Sequence, residues 1–143
     1  MKFWLITVNY GDPTPTVNLI NSIKNCIVKP KIKVAIADNS STEGSINKLN
    51  SLKTNINLDI VLFPFNTNHF YWSAAKRVIQ KMVATHGGPP DWIMVCNNDI
   101  TFQDSNFFKN LEKIDLMECP ILGPEIIGEN TRLPLNPFMV KPM

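Results

Sequence analysis

The chain has 143 residues, of which 44% are hydrophobic and 18% are charged, and its formal net charge is +2. This length suits about one domain with a sizeable core, and the balance of apolar and charged residues excludes a disordered chain. The lysines are scattered along the chain and form no basic stripe, so we expect no nucleic acid among its partners.

The three cysteines lie far apart and only two histidines are present, which argues against a structural zinc site. Free thiols in a reducing compartment are the simplest account of these cysteines. No apolar run approaches the ~20 residues that a membrane-spanning helix requires. The sequence therefore predicts a cytoplasmic protein, and it leaves peripheral membrane contact open.

Two predicted buried strands flank the first predicted helix. Phe3–Asn9 and Ile32–Ala37 are mostly apolar runs of the kind found in parallel strands that are buried on both faces. Between them, isoleucines at helical spacing predict a helix that is opened by Pro13 and runs to about Val28.

The second half of the predicted sheet repeats this alternation. A capping box formed by Ser40 and Glu43 predicts the start of the next helix. Leu58–Phe63 is predicted as a strand, Tyr71–His86 as a helix with clear apolar periodicity, and Trp92–Cys96 as a further strand. Strands that alternate with helices predict a parallel sheet with right-handed crossovers.

The pattern changes after the last of these strands. Asp104–Leu116 is predicted as a helix and Pro120–Leu122 as a short strand, and the prolines beyond Gly123 predict an extended segment. We therefore assign residues 1–127 to an α/β domain and residues 128–143 to a C-terminal tail.

The continuous apolar run Trp92–Cys96 predicts a strand that is buried on both faces, as in a parallel sheet, and it runs directly into Asn97, Asn98 and Asp99. Open α/β sheets bind ligands at the carboxyl ends of their strands. One carboxylate among oxygen donors suits Mg²⁺ or Mn²⁺, because these ions complete their coordination with water and substrate phosphates. The same triplet is also a good turn sequence, so the triplet alone leaves both interpretations open.

Two common phosphate-binding motifs are missing from the sequence. There is no GxxxxGK[ST] motif, and the first predicted strand–helix turn has a single glycine, Gly11, in place of a glycine-rich dinucleotide fingerprint. No serine, cysteine or histidine lies in a recognisable nucleophile motif. These absences argue against a P-loop NTPase and against a dinucleotide-dependent oxidoreductase.

Four motifs follow the predicted strands in chain order, namely Ile6–Tyr10, Ala37–Ser45, Asn66–Asn68 and Cys96–Asp99. In this order they resemble a family 2 glycosyltransferase of the GT-A fold, of the rhamnosyltransferase-like branch. The resemblance covers roughly residues 3–127. It implies a three-layer α/β/α fold with a mostly parallel sheet, apparently truncated, since the acceptor-binding half of the family lies beyond the metal motif.

The resemblance implies a site for a nucleotide-diphosphate sugar. Within it, Asp38 would hydrogen-bond the pyrimidine base, and Asp99 would bind the divalent cation, Mg²⁺ or Mn²⁺, that bridges the diphosphate. That cation would neutralise the charge that develops on the leaving group. The residues implied to contact the nucleotide are Val8, Asn9, Tyr10, Asp38, Asn68 and Asn98.

The resemblance also implies an activity: inverting transfer of a hexosyl or rhamnosyl group, in polysaccharide biosynthesis, from a UDP- or dTDP-sugar to a saccharide or lipid-linked acceptor. The carboxylates after Asp99 match no catalytic-base motif of the family, so the catalytic residue is not identified. A second hypothesis is therefore a non-catalytic α/β binding or assembly module. A sheet edge left exposed would favour pairing between chains and a homo-oligomer.

Several site residues have a plainer interpretation. Asp38 can serve only to cap the following helix, and Asn68 can be a turn residue. Where the family usually has a glycine-rich stretch, this chain has bulky residues from His69 onwards, which leaves the donor sugar open. We expect Tyr71 and Trp72 to belong to the core or to a pocket wall, and not to a sugar-stacking platform.

Overall fold

Parallel strands form the centre of the chain in the computed structural model, which describes residues 2–26, 31–39, 42–55 and 58–114. In these residues the strands are β1 (Lys2–Asn9), β2 (Lys31–Asn39), β3 (Asp59–Phe65) and β4 (Trp92–Cys96). They lie side by side in the order β3-β2-β1-β4, and all neighbours are parallel. The predicted parallel sheet is confirmed.

The direction of strand addition reverses at β1. The chain adds β2 and β3 on one side of β1 and then returns to add β4 on the other side. Such a reversal opens a crevice at the carboxyl ends of the strands, where open α/β sheets bind ligands. In the register, Asn9 pairs with Asp38, and Thr7 pairs with Cys96 at the end of β4. Polar residues that follow these strands therefore lie at one edge, here called the carboxyl edge.

Helices cover both faces of the sheet, which confirms the three-layer α/β/α architecture. The helices α1 (Thr14–Lys24), α2 (Glu43–Asn55) and α4 (Phe107–Leu111) pack on one face, and α3 (Tyr71–His86) packs on the other. This arrangement follows from right-handed crossovers. The connections through α1 and α2 add strands in one direction and lie on one face, whereas α3 leads back in the other direction to β4 and therefore lies on the opposite face.

The two faces are packed with side chains of different size. The face under α1, α2 and α4 buries large residues such as Leu19, Ile36 and Phe108. On the other face, Ala74 and Ala75 of α3 lie against the sheet, in a cluster that includes small residues of β2. Small side chains let a helix approach a sheet closely, so the first turns of α3 are held near the carboxyl edge.

The helix α3 has the predicted bounds. Its buried residues recur at helical spacing, and Gly87 ends it with a φ of 72°, a left-handed conformation that glycine adopts without steric cost. The residue before the helix, Phe70, has a φ of 58° and a ψ of 170°. A side chain other than glycine rarely adopts this conformation, so the start of α3 is strained.

Other boundaries differ from the predictions. The helix α1 ends at Lys24, and its predicted end at Val28 lies outside the described residues. Ser40 of the predicted capping box also lies outside them. Because α2 begins at Glu43, that residue is the first of the helix and not the third, as a capping box requires. The backbone N–H of Ser45 instead donates to the Thr42 hydroxyl at 3.3 Å.

Two further elements differ in length. The strand β3 continues through Pro64. Proline has no backbone N–H to donate to a neighbouring strand, and it is tolerated here because β3 is an edge strand among the described residues. The helix α4 covers Phe107–Leu111, shorter than predicted. The Asp104 carboxylate accepts the backbone N–H of Asn106 at 2.8 Å, so Asp104 lies in the turn before the helix, whose N-cap residue is Asn106.

The expectation that the strand at Trp92–Cys96 is buried on both faces is wrong for the described structure. Every residue of β1 after Lys2 is buried, whereas Ile93 is 36% exposed and most of β4 is half-buried. The reason is the position of β4, which pairs with β1 alone among the described strands. A continuous apolar run therefore indicated a strand correctly but did not reveal its place in the sheet.

Met1–Glu112 groups into one compact unit and Lys113–Met143 into a second. Residues from 115 onwards lie outside the described residues, and with them the predicted strand at Pro120–Leu122 and the predicted boundary at residue 127. In the described part of the chain, no helix is both long and apolar enough to cross a membrane.

Candidate functional site

A buried asparagine links the ends of two strands at the carboxyl edge. Asn9, the last residue of β1, is completely buried, and its side-chain amide donates to the Asp38 carboxylate at the end of β2 (3.1 Å). The same amide nitrogen lies 3.4 Å from the Ser45 hydroxyl in the first turn of α2. Its carbonyl oxygen accepts a hydrogen bond from the Thr16 hydroxyl of α1 (2.7 Å). Asn9 is thereby fixed in one orientation.

The residues that follow β4 join this network. The side-chain amide of Asn98 donates to the Thr16 hydroxyl at 3.0 Å, so Thr16 connects Asn98 to Asn9. Polar groups from the ends of β1, β2 and β4 therefore form one continuous set of hydrogen bonds, here called the strand-end network. It lies at the crevice where the direction of strand addition reverses.

A second set of hydrogen bonds fixes the segment between β3 and α3. The Asn39 side chain donates to the Asn68 side-chain oxygen at 2.7 Å and accepts the backbone N–H of His69 at 2.7 Å. The Asn68 oxygen also accepts the backbone N–H of Phe70 at 2.8 Å. These bonds hold Phe70 in its strained conformation, as expected where surrounding structure determines an unusual backbone geometry.

Asp99 follows Asn98 after β4, and its charge acts on the Tyr71 hydroxyl at the start of α3. Its carboxylate is exposed, unlike that of Asp38, which is 1% exposed. Burial raises the pKa of the Tyr71 hydroxyl to about 12, and the nearby Cys96 and Asp99 add to the shift. Tyr71 therefore stays neutral at physiological pH and can donate a hydrogen bond toward the strand end that bears Asp99.

The cysteine at the end of β4 is not a candidate nucleophile. Burial raises the pKa of the Cys96 thiol to about 12, against a smaller opposite effect of a hydrogen bond with Thr7. A thiol that stays protonated is a poor nucleophile and a poor metal ligand.

Aromatic side chains near this edge are unusually exposed. Tyr10, directly after β1, is 64% exposed, and Phe70 and Trp72 at the start of α3 are 78% and 72% exposed. The ring of Tyr71 is half-buried and contacts that of Trp72 edge to face, with centroids 5.2 Å apart. Of the two positions expected for Trp72, the core is therefore wrong, because the side chain points away from the face of α3 that packs on the sheet, and a pocket wall stays a prediction.

The metal site predicted from the sequence rests on one exposed carboxylate, that of Asp99. In the described ranges, no group of three or more histidines, cysteines and carboxylates could hold a metal ion. A single exposed carboxylate such as Asp99 instead suits Mg²⁺ or Mn²⁺ that takes its remaining ligands from water and phosphate oxygens. Asp99 is thus the candidate metal ligand of the described residues.

Among the described carboxylates after Asp99, Asp104 has a structural role. Its two carboxylate oxygens accept bonds from the backbone of Asn106 and the side chain of Asn110, at 2.8 and 3.5 Å, which ties it to α4. The other described carboxylate of this stretch is the exposed Glu112, and we assign neither residue as a catalytic base.

A cavity of about 450 Å³ lies at the opposite edge of the sheet, at the amino ends of the strands. Its lining includes Lys2, Lys31 and Lys33, together with the turn that follows α3. Lys33 forms an ion pair with Asp59 at 2.5 Å. None of the residues predicted for nucleotide or metal binding lines this cavity, so we assign the candidate site to the carboxyl edge.

The structure places the predicted site residues in three settings. Asn9, Asp38 and Asn98 belong to the strand-end network, and Asn68 belongs to the second set of bonds. Tyr10 and Asp99 are exposed at the same edge. Val8, in contrast, is buried in the cluster beneath α3, so its side chain supports the edge from below.

Three residues of the two networks were not predicted from the sequence: Thr16, Asn39 and Ser45. Each is buried, although each is polar. Thr16 and Ser45 lie in the first helical turn after a strand end, where a short hydroxyl side chain can reach back to the strand. This position in the sequence could have indicated a site residue, but ordinary helix-capping residues occupy the same position.

No protein-family model and no curated protein sequence matches the chain. Solved structures do match it. Residues 1–349 of S. aureus TarS, a glycosyltransferase, superimpose with a TM-score of 0.63 at 16% sequence identity, over 78% of this chain and 31% of that one. The same part of TarS in complex with UDP gives the same values. The complex with UDP-GlcNAc also has a TM-score of 0.63 and 16% identity, over 78% of this chain and 30% of that one.

These matches establish the fold. The described chain shares the α/β fold of part of residues 1–349 of TarS, which confirms the predicted fold class. The chain spans less than a third of the length of the TarS structures that it matches. At this level of identity the likeness concerns the arrangement of the sheet and helices, and not the identity of individual side chains.

Proposed function

We propose that this chain binds the sugar-nucleotide donor of a glycosyltransferase, with a UDP-linked sugar as the donor. The observation that carries the proposal is the strand-end network, which fixes polar side chains from β1, β2 and β4 at the crevice of the sheet. Binding of UDP and UDP-GlcNAc by S. aureus TarS, which has the same fold, supports this choice of ligand.

The proposed base contact follows from the orientation of Asp38. Asn9 donates to one of its carboxylate oxygens and so fixes the group at the floor of the crevice. A carboxylate accepts hydrogen bonds only, so it would accept the N3–H of uracil or thymine. Cytosine offers no N3–H at that position, because its N3 is itself an acceptor, and only its N4 amino group could donate to the carboxylate. Asp38 would therefore select a UDP- or dTDP-sugar over a cytidine nucleotide.

The proposed diphosphate end is at Asp99, with Asn98 beside it. Asp99 would hold Mg²⁺ or Mn²⁺ together with the phosphate oxygens, and the cation would supply neutralisation of the charge on the leaving nucleoside diphosphate. The chain itself contributes orientation, because Asn98 is fixed through Thr16. Tyr71 contributes a hydroxyl that stays protonated near Asp99.

Further parts of the proposal rest on the ordered sequence motifs. They are inverting transfer of a hexosyl or rhamnosyl group to a saccharide or lipid-linked acceptor, membership of the rhamnosyltransferase-like branch, a cytoplasmic location and a role in polysaccharide biosynthesis. No described residue is assigned as the base of such a transfer. Donor binding is thus the core of the proposal, and transfer is tested separately.

Calorimetric titration of the 143-residue chain with UDP, with and without Mn²⁺, tests donor binding. We expect binding that is at least about tenfold tighter with the metal, a difference of about 1.4 kcal/mol. Asp99→Ala should abolish that difference, and Asp38→Asn should weaken binding with and without the metal. Asp59→Ala, at the amino edge, is the matched control and should bind normally.

The outcomes separate the hypotheses. Absence of metal-dependent binding, or unchanged affinity in Asp99→Ala, would contradict the proposal. If UDP-sugar binds but is neither hydrolysed nor transferred above background, the second hypothesis of a non-catalytic binding module is favoured. Titration with dTDP and CDP beside UDP tests the role of Asp38, since UDP and dTDP should bind more tightly than CDP.

A further inference from the structure

We propose that the cavity at the amino edge of the sheet is a second binding site, which takes a small soluble anion that carries a phosphate group. The proposed donor site does not involve this cavity, because no residue of the strand-end network lines it. Three properties of the cavity support the proposal: the register of its lysines, the balance of charge in its lining and the anchoring of its wall.

Lysines of neighbouring strands line the cavity together. Lys2 of β1 and Lys31 of β2 are paired in the register, and both line the cavity. Neighbouring strands lie about 4.8 Å apart, and side chains at paired positions of a parallel sheet point to the same face. Lys33 is two residues further along β2, so it points to that face too, and it also lines the cavity. One anion can therefore contact more than one ammonium group.

The lining carries more positive than negative charge. The one carboxylate that lines the cavity in the described part of the chain belongs to Asp59, and it is paired with Lys33. Neither Lys2 nor Lys31 forms an ion pair with a described carboxylate. Like charges at paired positions of neighbouring strands repel each other. An anion between these two lysines would replace that repulsion with two attractions.

The turn that follows α3 supplies an anchored wall, because residues 87–90 line the cavity. At the end of this turn, the Asp91 carboxylate accepts the backbone N–H of Lys2 at 2.6 Å, and the Asp91 backbone N–H donates to the Lys2 carbonyl at 3.1 Å. Pro89 and Pro90 restrict the backbone of the turn further. The turn is thereby fixed to β1, and the cavity between them keeps its shape.

The size of the cavity and its charge indicate the class of ligand. Its volume of about 450 Å³ lies within the range of about 300–1,000 Å³ that is typical of small-molecule sites. Its lining includes two buried apolar residues, Trp4 and Ile32, and the Trp4 ring contacts that of His86 edge to face, with centroids 5.8 Å apart. Lysine binds phosphate as a compact point charge. Because the ammonium groups are partly solvated, we expect weak binding that depends on salt.

Titration of the 143-residue chain with inorganic phosphate, without metal, tests this site. The amide NMR signals of Gly87 and Gly88 report on the cavity, and we expect them to shift until they saturate in the millimolar range. Lys2→Ala and Lys31→Ala should each weaken binding about two- to fivefold, as is typical of contacts between partly solvated charges. Asp59→Asn should instead tighten binding by a similar factor, because it removes the carboxylate from the lining.

The controls separate charge from structure. Lys24→Ala removes an exposed lysine of α1, on the other face of the sheet, and should bind phosphate normally. Lys31→Arg keeps the charge and should keep most of the affinity. Acetate, which carries one negative charge, should bind less tightly than phosphate. Binding should be weaker in 1 M NaCl, where the Debye length is about 3 Å.

Shifts that do not saturate, or equal phosphate affinity in Lys2→Ala, Lys31→Ala and the unaltered chain, would overturn the proposal. Acetate that binds as tightly as phosphate would also overturn it. The two alanine variants should keep the Mn²⁺-dependent affinity for UDP, and a parallel loss of that affinity would mean that the two sites are not separate. If UDP binds and phosphate does not, only this inference fails. If phosphate binds as expected and UDP does not, only the proposed function fails.

Discussion

The two edges of the sheet differ in a way that cavity size alone does not reveal. The amino edge has the cavity of about 450 Å³, lined by lysines and one surface ion pair. The carboxyl edge has buried polar side chains joined by hydrogen bonds, a strained residue and exposed aromatic rings. Charged side chains at a surface are flexible and do not hold fixed positions. Buried polar groups, in contrast, each need a hydrogen-bond partner and are therefore held in place. The second pattern is the better indicator of a ligand site.

The largest expected effect of a substitution tests the strand-end network. Asn9→Ala removes the side chain that joins Asp38, Ser45 and Thr16, in a region that is almost fully buried. We expect the free energy of unfolding to fall by about 2–4 kcal/mol, because bonds to a buried charged group contribute more than ordinary ones. Urea unfolding measures this. Asn18→Ala, an exposed asparagine of α1, is the matched control and should change stability by less than about 0.5 kcal/mol.

The next effect concerns pH and also belongs to the carboxyl edge. Burial raises the pKa of Cys96 from 9.0, and that of Tyr71 from 10.0, to about 12 in each case. Above pH 9 the folded state therefore binds more protons than the unfolded state. The stability that these groups contribute is complete below pH 9 and is lost as the pH rises toward 12. The expected loss is about 1.4 kcal/mol per pH unit for the buried Cys96 and smaller for the half-buried Tyr71, because water partly screens its charge.

Urea unfolding between pH 7 and 12 measures this slope. At each pH, Cys96→Ala and Tyr71→Phe are compared with the unaltered chain, so that other titrating groups cancel. Cys96→Ala should delay the decline until about pH 10, and the double variant should lack the part of the decline due to these groups. A double variant with an unchanged slope would show that neither side chain is shielded from water as the structure indicates.

A smaller effect isolates the strain before α3. Phe70→Gly should raise the free energy of unfolding by about 1 kcal/mol, because relief of the backbone strain exceeds the greater freedom of glycine in the unfolded chain. Phe70→Ala keeps the positive φ and should give no such gain. Thermal or urea unfolding of both variants provides the measurement. Equal stability of the two would mean that the backbone at this residue is not strained.

The sequence and the structure agree best where a local pattern determines the outcome. The helix Tyr71–His86 and the strand Trp92–Cys96 have the predicted bounds, since apolar periodicity and the glycines between them specify both ends. Asn9, Asp38 and Asn98 were selected from the sequence, and the structure joins them through hydrogen bonds. Parallel topology alone brings strand ends together, so this part of the site was accessible from residue order.

Other features depend on packing that no local pattern specifies. The exposure of Trp72 follows from which face of α3 meets the sheet, and the half-exposure of β4 follows from its place at the edge of the described strands. The role of Thr16 depends on a partner more than eighty residues away along the chain, Asn98. The positive φ of Phe70 results from the two asparagines that hold it. These contacts exist only in the assembled fold.

The smallest expected effect returns to the amino edge. Lys33→Ala breaks the ion pair with Asp59, whose side chains are 22% and 57% exposed. We expect a loss of less than about 1 kcal/mol, because water already solvates these charges and ordering the two side chains costs entropy. The loss should shrink further in 1 M salt, where the Debye length is about 3 Å. The loss caused by Asn9→Ala should hardly depend on salt, because its partners are buried.

Urea unfolding of the two variants at low and high salt therefore compares the edges directly. A salt-sensitive, small loss in Lys33→Ala beside a large, salt-insensitive loss in Asn9→Ala is the expected pair of results. If Lys33→Ala destabilised the chain as much as Asn9→Ala, the charged side chains of the amino edge would also be held in fixed positions. The cavity at that edge would then have an equal claim to be the donor site, because its charged lining would be fixed in place.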